Sequence, residues 1–239
     1  MKISIITACY NAEKTIRDTI ESVLAQTYKD YEYIIIDGQS TDSSLNIIKE
    51  YKNIKLVSEK DKGLYDALNK GIKMASGDVI GIINSDDVLY DENVFQTIAD
   101  NYKEDTEIMY ANVKYYNDDF SQVIRDYVSG TKYSNAWCPA HPSMYIRKEV
   151  FDKIGYYNLD YKITADYDFM VRCNKANVKY QYVDSYFVKM RYGGMSNGVK
   201  GYLVNFAECY KTLKRNEVSF PLANTIRRSL HTIKQLLFS

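Results

Sequence analysis

The chain has 239 residues, 46% of them hydrophobic and 26% charged, which suits one large α/β domain with a sizeable core. Lys/Arg and Asp/Glu balance at 31 each, yet residues 200–239 hold seven Lys/Arg against Glu208 and Glu217, so this segment is +5 and the rest about −5. An acidic main body argues against nucleic acid as the partner, and no run approaches the roughly 18 apolar residues of a membrane span.

The first strand is expected in "KISIIT", followed by Asn11 as cap of a helix whose Ile16, Ile20, Val23 and Leu24 share one face. Ile6-Thr7-Ala8-Cys9 looks like a lipid-attachment box, but the apolar run before it is too short for a signal segment. "YEYIII" is the second strand, "DGQSTD" a tight polar loop, and Leu45, Ile47 and Ile48 mark a second helix. "IKLVS" is the third strand. After "EKDKG" a helix follows through Leu64, Ala67, Leu68, Ile72 and Ala75, ended by Gly77. "DVIGIIN" is the fourth.

Short β-branched strands separated by single helices predict right-handed crossovers and a mostly parallel sheet, Rossmann-like and flanked by helices. Ligands of such sheets bind beyond the carboxyl ends of the strands. The polar clusters there are Thr7–Asn11, Asp37–Asp42, Glu59–Lys62 and Ser85–Asp87, which should meet on one edge. After Tyr110 the pattern loosens into hairpin-like segments, a "WCPAHP" loop, then another helix and strand. Cys9, Cys138, Cys173 and Cys209 show no paired spacing, which argues against zinc or disulfides and for a reducing cytoplasm.

Asp86 and Asp87 stand side by side at the end of the fourth strand, where their repulsion asks for a cation. Two hard oxygen ligands suit Mn²⁺ or Mg²⁺ held jointly with a diphosphate. A solvated turn with no ligand is the bland alternative. In "TADYDFMVRC", Asp166, Phe169, Met170 and Cys173 share one helical face, so Asp166 is expected at a helix start on the buried side. Asp168 is expected on the outer face, paired at i+4 with Arg172. A partly buried Asp166 suits a general base.

The ordered stretches "SIITACYNAEKTIRDTIESVLAQTY", "YIIIDGQSTD", "SEKDKGLYDALNKGIKMASGDVIGIINSDD", "HPSMYIRKEVFDKIGYYN" and "TADYDFMVR" together resemble the family 2 glycosyltransferases of the GT-A fold, in particular the bacterial polysaccharide-assembly members. The resemblance covers residues 1–198. It implies inverting transfer of a sugar from a nucleoside diphosphate donor, UDP-linked by expectation, to a glycan or lipid-linked glycan acceptor, as in O-antigen or capsule assembly. It makes Asp37 the base-binding carboxylate, with Thr7, Ala8 and Tyr10 lining the nucleoside pocket. Asp61 and Asn69 then shape the donor pocket, with Ser85 beside them. Asp87 becomes the metal ligand, Asp86 a sugar or ribose contact, and Asp166 the base. Where the family usually has Glu before this base, the chain has Ala165. His141 in "CPAHPSM" is a candidate on the acceptor side, Tyr65 stands where the pocket should be, and "RYGGMSN" is a candidate closing loop.

The expected organisation is a transferase domain over 1–199, with a donor half (1–113) and an acceptor half (114–199), and a helical tail over 200–239. In the tail, Leu222, Ile226, Leu230, Ile233 and Leu237 form one stripe with Arg227, Arg228 and Lys234 off it. Such a helix can lie on an anionic membrane at its cytoplasmic face, or pack on the domain or on a second copy in a homodimer. A dehydrogenase would need a glycine fingerprint and a P-loop kinase its GxxxxGK[ST], and neither is present. A catalytically silent nucleotide-sugar or glycan-binding module is the serious rival. It would keep the pocket but has no use for both Asp87 and Asp166.

Overall fold

A computed structural model of the chain describes residues 1–131, 138–193 and 198–238. Strands β1 (Ile3–Cys9), β2 (Tyr31–Asp37), β3 (Ile54–Ser58) and β4 (Val79–Ile82) alternate with helices α1 (Ile16–Leu24), α2 (Ser44–Lys49) and α3 (Leu64–Met74). Then come β5 (Val88–Leu89), α4 (Val94–Asn101), β6 (Ile108–Tyr116), β7 (Val123–Tyr127), a 3₁₀ turn at His141–Ser143, β8 (Met144–Arg147), α5 (Lys148–Ile154), α6 (Ala165–Lys175) and β9 (Tyr180–Arg191). Helices α7 (Gly198–Arg215) and α8 (Pro221–Phe238) end the chain.

Among the described residues the nine strands form one sheet in the order β3-β2-β1-β4-β8-β6-β9-β5, with β7 added beside β6. The expected parallel arrangement holds over β3, β2, β1 and β4. Beyond β4 the sheet is mixed: β8 runs antiparallel to β4 and β6, β9 parallel to β6, and β5 antiparallel to β9. Because β6 runs through residue 113, the two halves share one sheet.

Strand periodicity fills both faces. Ile6, Ile34, Ile36, Ile80 and Ile82 pack on one side with α3, α5 and α6. Ile3, Ile5, Tyr33 and Ile35 pack on the other with α1 and α4. Each such isoleucine removed from water contributes about 1.5–3 kcal/mol. Gly71 lets α3 approach β1, since a Cβ there would fall 2.5 Å from Ile6 Cγ2.

Asn11 does not cap α1; that position belongs to Thr15. It instead takes φ 51° and accepts the Thr41 N–H on its side-chain oxygen at 2.8 Å, tying the β1 exit to the loop after β2. Helix α7 lies against α6, where Cys209 and Leu213 pack on Tyr167 and Val171. No helix among the described residues is long and apolar enough to cross a membrane.

Candidate active site

The carboxyl ends of β1, β2 and β3 bring three expected donor-site residues together. A Cβ at Gly38 would lie 2.4 Å from Asp61 Oδ2 and 3.4 Å from Tyr10 Cδ2, so the Asp61 carboxylate rests over Gly38 beside the Tyr10 ring. Tyr10 is 63% exposed, and Gly63 N–H fixes Asp61 by donating to Oδ1 at 2.8 Å. Asp37 closes β2 but is fully buried; Ser58 Oγ donates to its Oδ2 at 2.6 Å and the Ser40 N–H reaches both oxygens at 3.3 Å. Its carboxylate shapes the loop that carries Gly38, and the half-buried Asp61 lies over that loop.

Two further residues expected at the pocket make contacts within the fold. Thr7 is fully buried, bonded to Tyr33 Oη at 3.0 Å and Ile83 O at 2.9 Å, so it packs on the α1 side of the sheet. Strand alternation leaves the half-buried Ala8 on the opposite, α3 side. Asn69 is spent on a backbone clamp: its Nδ2 donates to Tyr157 O at 2.8 Å and its Oδ1 accepts Tyr157 N–H at 3.0 Å.

The turn after β4 separates the two neighbouring carboxylates. Asp87 is 1% exposed, with Oδ1 accepting Arg191 N–H at 3.0 Å and Oδ2 accepting Asn84 Nδ2–H at 2.8 Å. Burial first, then the charge of Asp86, raises its pKa well above the usual carboxylate range. A side chain so enclosed is turned into the fold, where the sequence led one to expect a metal ligand. Asp86 is half-buried, and among the described residues its carboxylate accepts no hydrogen bond. Ser85 is also half-buried, its carbonyl taken by Thr15 Oγ1 at 2.8 Å.

Arg191, the first residue of the expected closing loop "RYGGMSN", instead ends β9 and locks this turn. It donates from Nη1 to Asp86 O at 2.6 Å, from Nε to Asp118 O at 2.8 Å, and pairs with Asp18 through Nη2. Among the described residues no three His, Cys, Asp or Glu side chains converge as a metal cage. One open carboxylate fits Mn²⁺ or Mg²⁺ completed by substrate oxygens.

The second corner lies on the α3 side of the sheet. Asp166, in the first turn of α6, is half-buried. Tyr65 Oη donates to Ile163 O at 2.6 Å and lies 3.1 Å from Asp166 Oδ1. The Tyr65 and Tyr157 rings sit 5.6 Å apart, and Tyr157 Oη is 2.7 Å from His141 Nε2. Burial lowers the His141 pKa against the opposing pull of Asp166, which favours the neutral imidazole. His141 thus belongs to the shell around Asp166.

Asp168 is not on an outer face. It is 1% exposed, bonded to Arg172 Nε at 2.9 Å and Asn216 Nδ2 at 3.2 Å, because α7 covers that side of α6. Glu208 of α7 accepts the N–H groups of Lys162, Ile163 and Thr164 at 2.8, 3.0 and 3.1 Å, fixing the segment that leads to Asp166. Of "RYGGMSN", residues 194–197 lie outside the described residues, as do the side chains of Ile233, Lys234 and Leu237.

The same chain path occurs in TarS of S. aureus in complex with UDP-GlcNAc, at TM-score 0.70 and 19% identity, over 100% of this chain and 74% of that one. It occurs also in the mannosyltransferase PcManGT of Pyrobaculum calidifontis in complex with GDP-Man and Mn²⁺, at TM-score 0.63 and 12% identity, over 97% and 74%. The fold is therefore the GT-A type of sugar-nucleotide transferases. Residues 4–170 match the model of glycosyl transferase family 2, and the chain belongs to that family. Relatives include the PGL/p-HBAD biosynthesis glycosyltransferase of Mycobacterium tuberculosis, 29% identical over 82% of this chain and 79% of the relative. Another is the Escherichia coli UDP-Glc:alpha-D-GlcNAc-diphosphoundecaprenol beta-1,3-glucosyltransferase WfaP, 26% identical over 98% and 86%.

Proposed function

We propose that this glycosyltransferase is metal-dependent and inverting, and moves a sugar from a UDP-sugar to a hydroxyl of a lipid-linked glycan. The observation that carries the reading is the layout of four groups: an exposed ring at Tyr10 with the half-buried carboxylate of Asp61 beside it, and half-buried carboxylates at Asp86 and Asp166. Tyr10 stacks on the base while Asp61 accepts its imide N–H, with Asp37 ordering the loop behind them. Asp86 holds the cation, and Asp87 with Arg191 holds Asp86. The cation supplies charge neutralisation at the leaving diphosphate.

Asp166 takes the proton of the acceptor hydroxyl as its oxygen forms a bond to the anomeric carbon. The bond from that carbon to the diphosphate breaks on the opposite face, and the electron pair leaves with UDP. The UDP preference and the lipid-linked acceptor rest on the kinship with WfaP. UDP binding measured with and without Mn²⁺, together with donor hydrolysis by the parent and by Asp166→Asn, tests the reading. A parent that binds no UDP, or a variant that turns over at the parental rate, overturns it.

The tail is the proposed membrane contact. Leu222, Ile226 and Leu230 stay exposed on α8, and Leu203 and Phe220 are exposed at 62% and 80%. Arg228 turns inward instead, its guanidinium 4.1 Å from the Tyr167 ring centroid. The helix therefore packs beside α7 with Thr225 and Arg228 turned inward, and leaves its apolar stripe for a lipid surface.

A further inference from the structure

Past the Asp86 turn, away from Tyr10 and Asp61, β5, β9 and β6 carry two lysines on one face of the sheet. Lys114 and Lys189 are register partners on neighbouring strands, and Lys189 is also the register partner of Val88, next to Asp87. Two ammonium groups placed side by side across a strand pair repel each other. Among the described residues neither lies within ion-pair distance of a carboxylate. Asp126, the register partner of Lys114, accepts the Tyr186 hydroxyl at 2.9 Å on both oxygens.

The ammonium groups rest on aromatic faces. Lys114 Nζ is 4.2 Å from the Tyr186 ring centroid and 5.7 Å from that of Tyr90, and Lys189 Nζ is 5.3 Å from Tyr90. The two rings stack at 5.3 Å. Cation–π contact offsets part of the repulsion, and an anion between the lysines removes the rest. All four side chains are half-buried, so the rings hold the charges at the surface without enclosing them.

We infer that Lys114, Lys189, Tyr90 and Tyr186 form a subsite for the phosphate groups of an anionic acceptor, a glycosyl diphosphate. The inference rests on the transferase reading above and adds the residues that recognise the acceptor's charge. Location assigns the site to the acceptor: the strand order puts β6 and β9 on one side of the Asp86 turn and the nucleoside end of β1, β2 and β3 on the other. The donor diphosphate is the competing source of the same chemistry.

Hexyl diphosphate, hexyl glucoside and UDP with Mn²⁺ are the probes, each titrated calorimetrically at low and high salt into the parent, Lys114→Gln/Lys189→Gln and Lys114→Arg/Lys189→Arg. The expected result is salt-sensitive binding of hexyl diphosphate by the parent, weakened roughly ten-fold or more in the Gln pair and restored in the Arg pair. UDP affinity stays at the parental value throughout, and hexyl glucoside does not distinguish the proteins. No binding of hexyl diphosphate by the parent, or equal binding by the Gln pair, overturns the subsite and leaves the lysines as packing on tyrosine. A matching loss of UDP affinity in the Gln pair assigns them to the donor and overturns it as well. Failure of the transferase reading shows separately, as a parent that does not bind UDP.

Discussion

Tyr65 Oη lies 3.1 Å from Asp166 Oδ1, joining the helix after β3 to the first turn of α6 across 101 residues of sequence. The same hydroxyl donates to Ile163 O at 2.6 Å, so it holds both the carboxylate and the chain entering its helix. Tyr65→Phe removes both contacts and keeps the ring packing. Loss of one positioning hydrogen bond is worth about 1–1.5 kcal/mol, so kcat should fall roughly ten-fold. UDP affinity with Mn²⁺ should not move. Asp166→Asn should bind UDP equally well and lose most turnover, and a fall in UDP affinity in either variant would place this corner in the donor site.

Asp86 and Asp87 should separate by the kind of damage their loss causes. Asp86→Asn removes an open carboxylate, so Mn²⁺ should cease to strengthen UDP binding while the melting temperature stays near the parent's. Asp87→Ala leaves the Arg191 N–H and the Asn84 amide unpaired in a half-buried turn, at up to about 1–3 kcal/mol for each group, so it should lower the melting temperature. Thermal melts and UDP titrations with and without Mn²⁺ decide it. Metal-dependent UDP binding that survives Asp86→Asn would return the ligand role to Asp87.

The parallel part of the sheet was legible in the sequence because β1 to β4 bury both faces and read as apolar runs between helices of 3.6 period. Thr7 was misplaced although strand alternation groups it with Ile3, Ile5 and Cys9, which face α1. Parity also orients Asp87, since Leu89 two residues on is buried in the same cluster. Asp168 was beyond such reasoning: its side of α6 is an outer face until α7 covers it. Glu208 shows the same limit, because a carboxylate 42 residues after Asp166 in sequence has no periodic relation to the loop it caps. Arg191 and the lysine pair depend on the pairing of β9 with β5 and β6, which no local pattern encodes.

Glu32 should set part of the acid limb of stability. Burial alone would raise its pKa, but Lys55, Ser4 and the Ser76 backbone and hydroxyl outweigh it and bring the value down to about 2. A depressed carboxylate stabilises the fold above its unfolded pKa of about 4.5, and that contribution is lost as pH falls towards 2. The melting temperature of the parent should therefore drop between about pH 5 and pH 2. Glu32→Gln should start lower at pH 7 and show a shallower drop over the same interval. Parallel curves for the two proteins would remove Glu32 as the cause.

The tail tests how an exposed apolar stripe is used. Leu222, Ile226 and Leu230 recur every fourth residue on α8, while Thr225 and Arg228 face the protein, so substitutions on the stripe leave the internal docking alone. Fully burying three such leucine or isoleucine side chains in lipid is worth up to about 4–9 kcal/mol, enough to hold the protein on vesicles together with the +5 charge of residues 200–239. Flotation with vesicles rich in anionic lipid should carry the parent, and Ile226→Asp/Leu230→Asp should stay in the aqueous fraction with an unchanged melting temperature. High salt should weaken the parent's flotation without abolishing it, because screening reaches the charges and not the apolar contact. Equal flotation of the parent and the double variant would mean that the stripe does not meet the membrane.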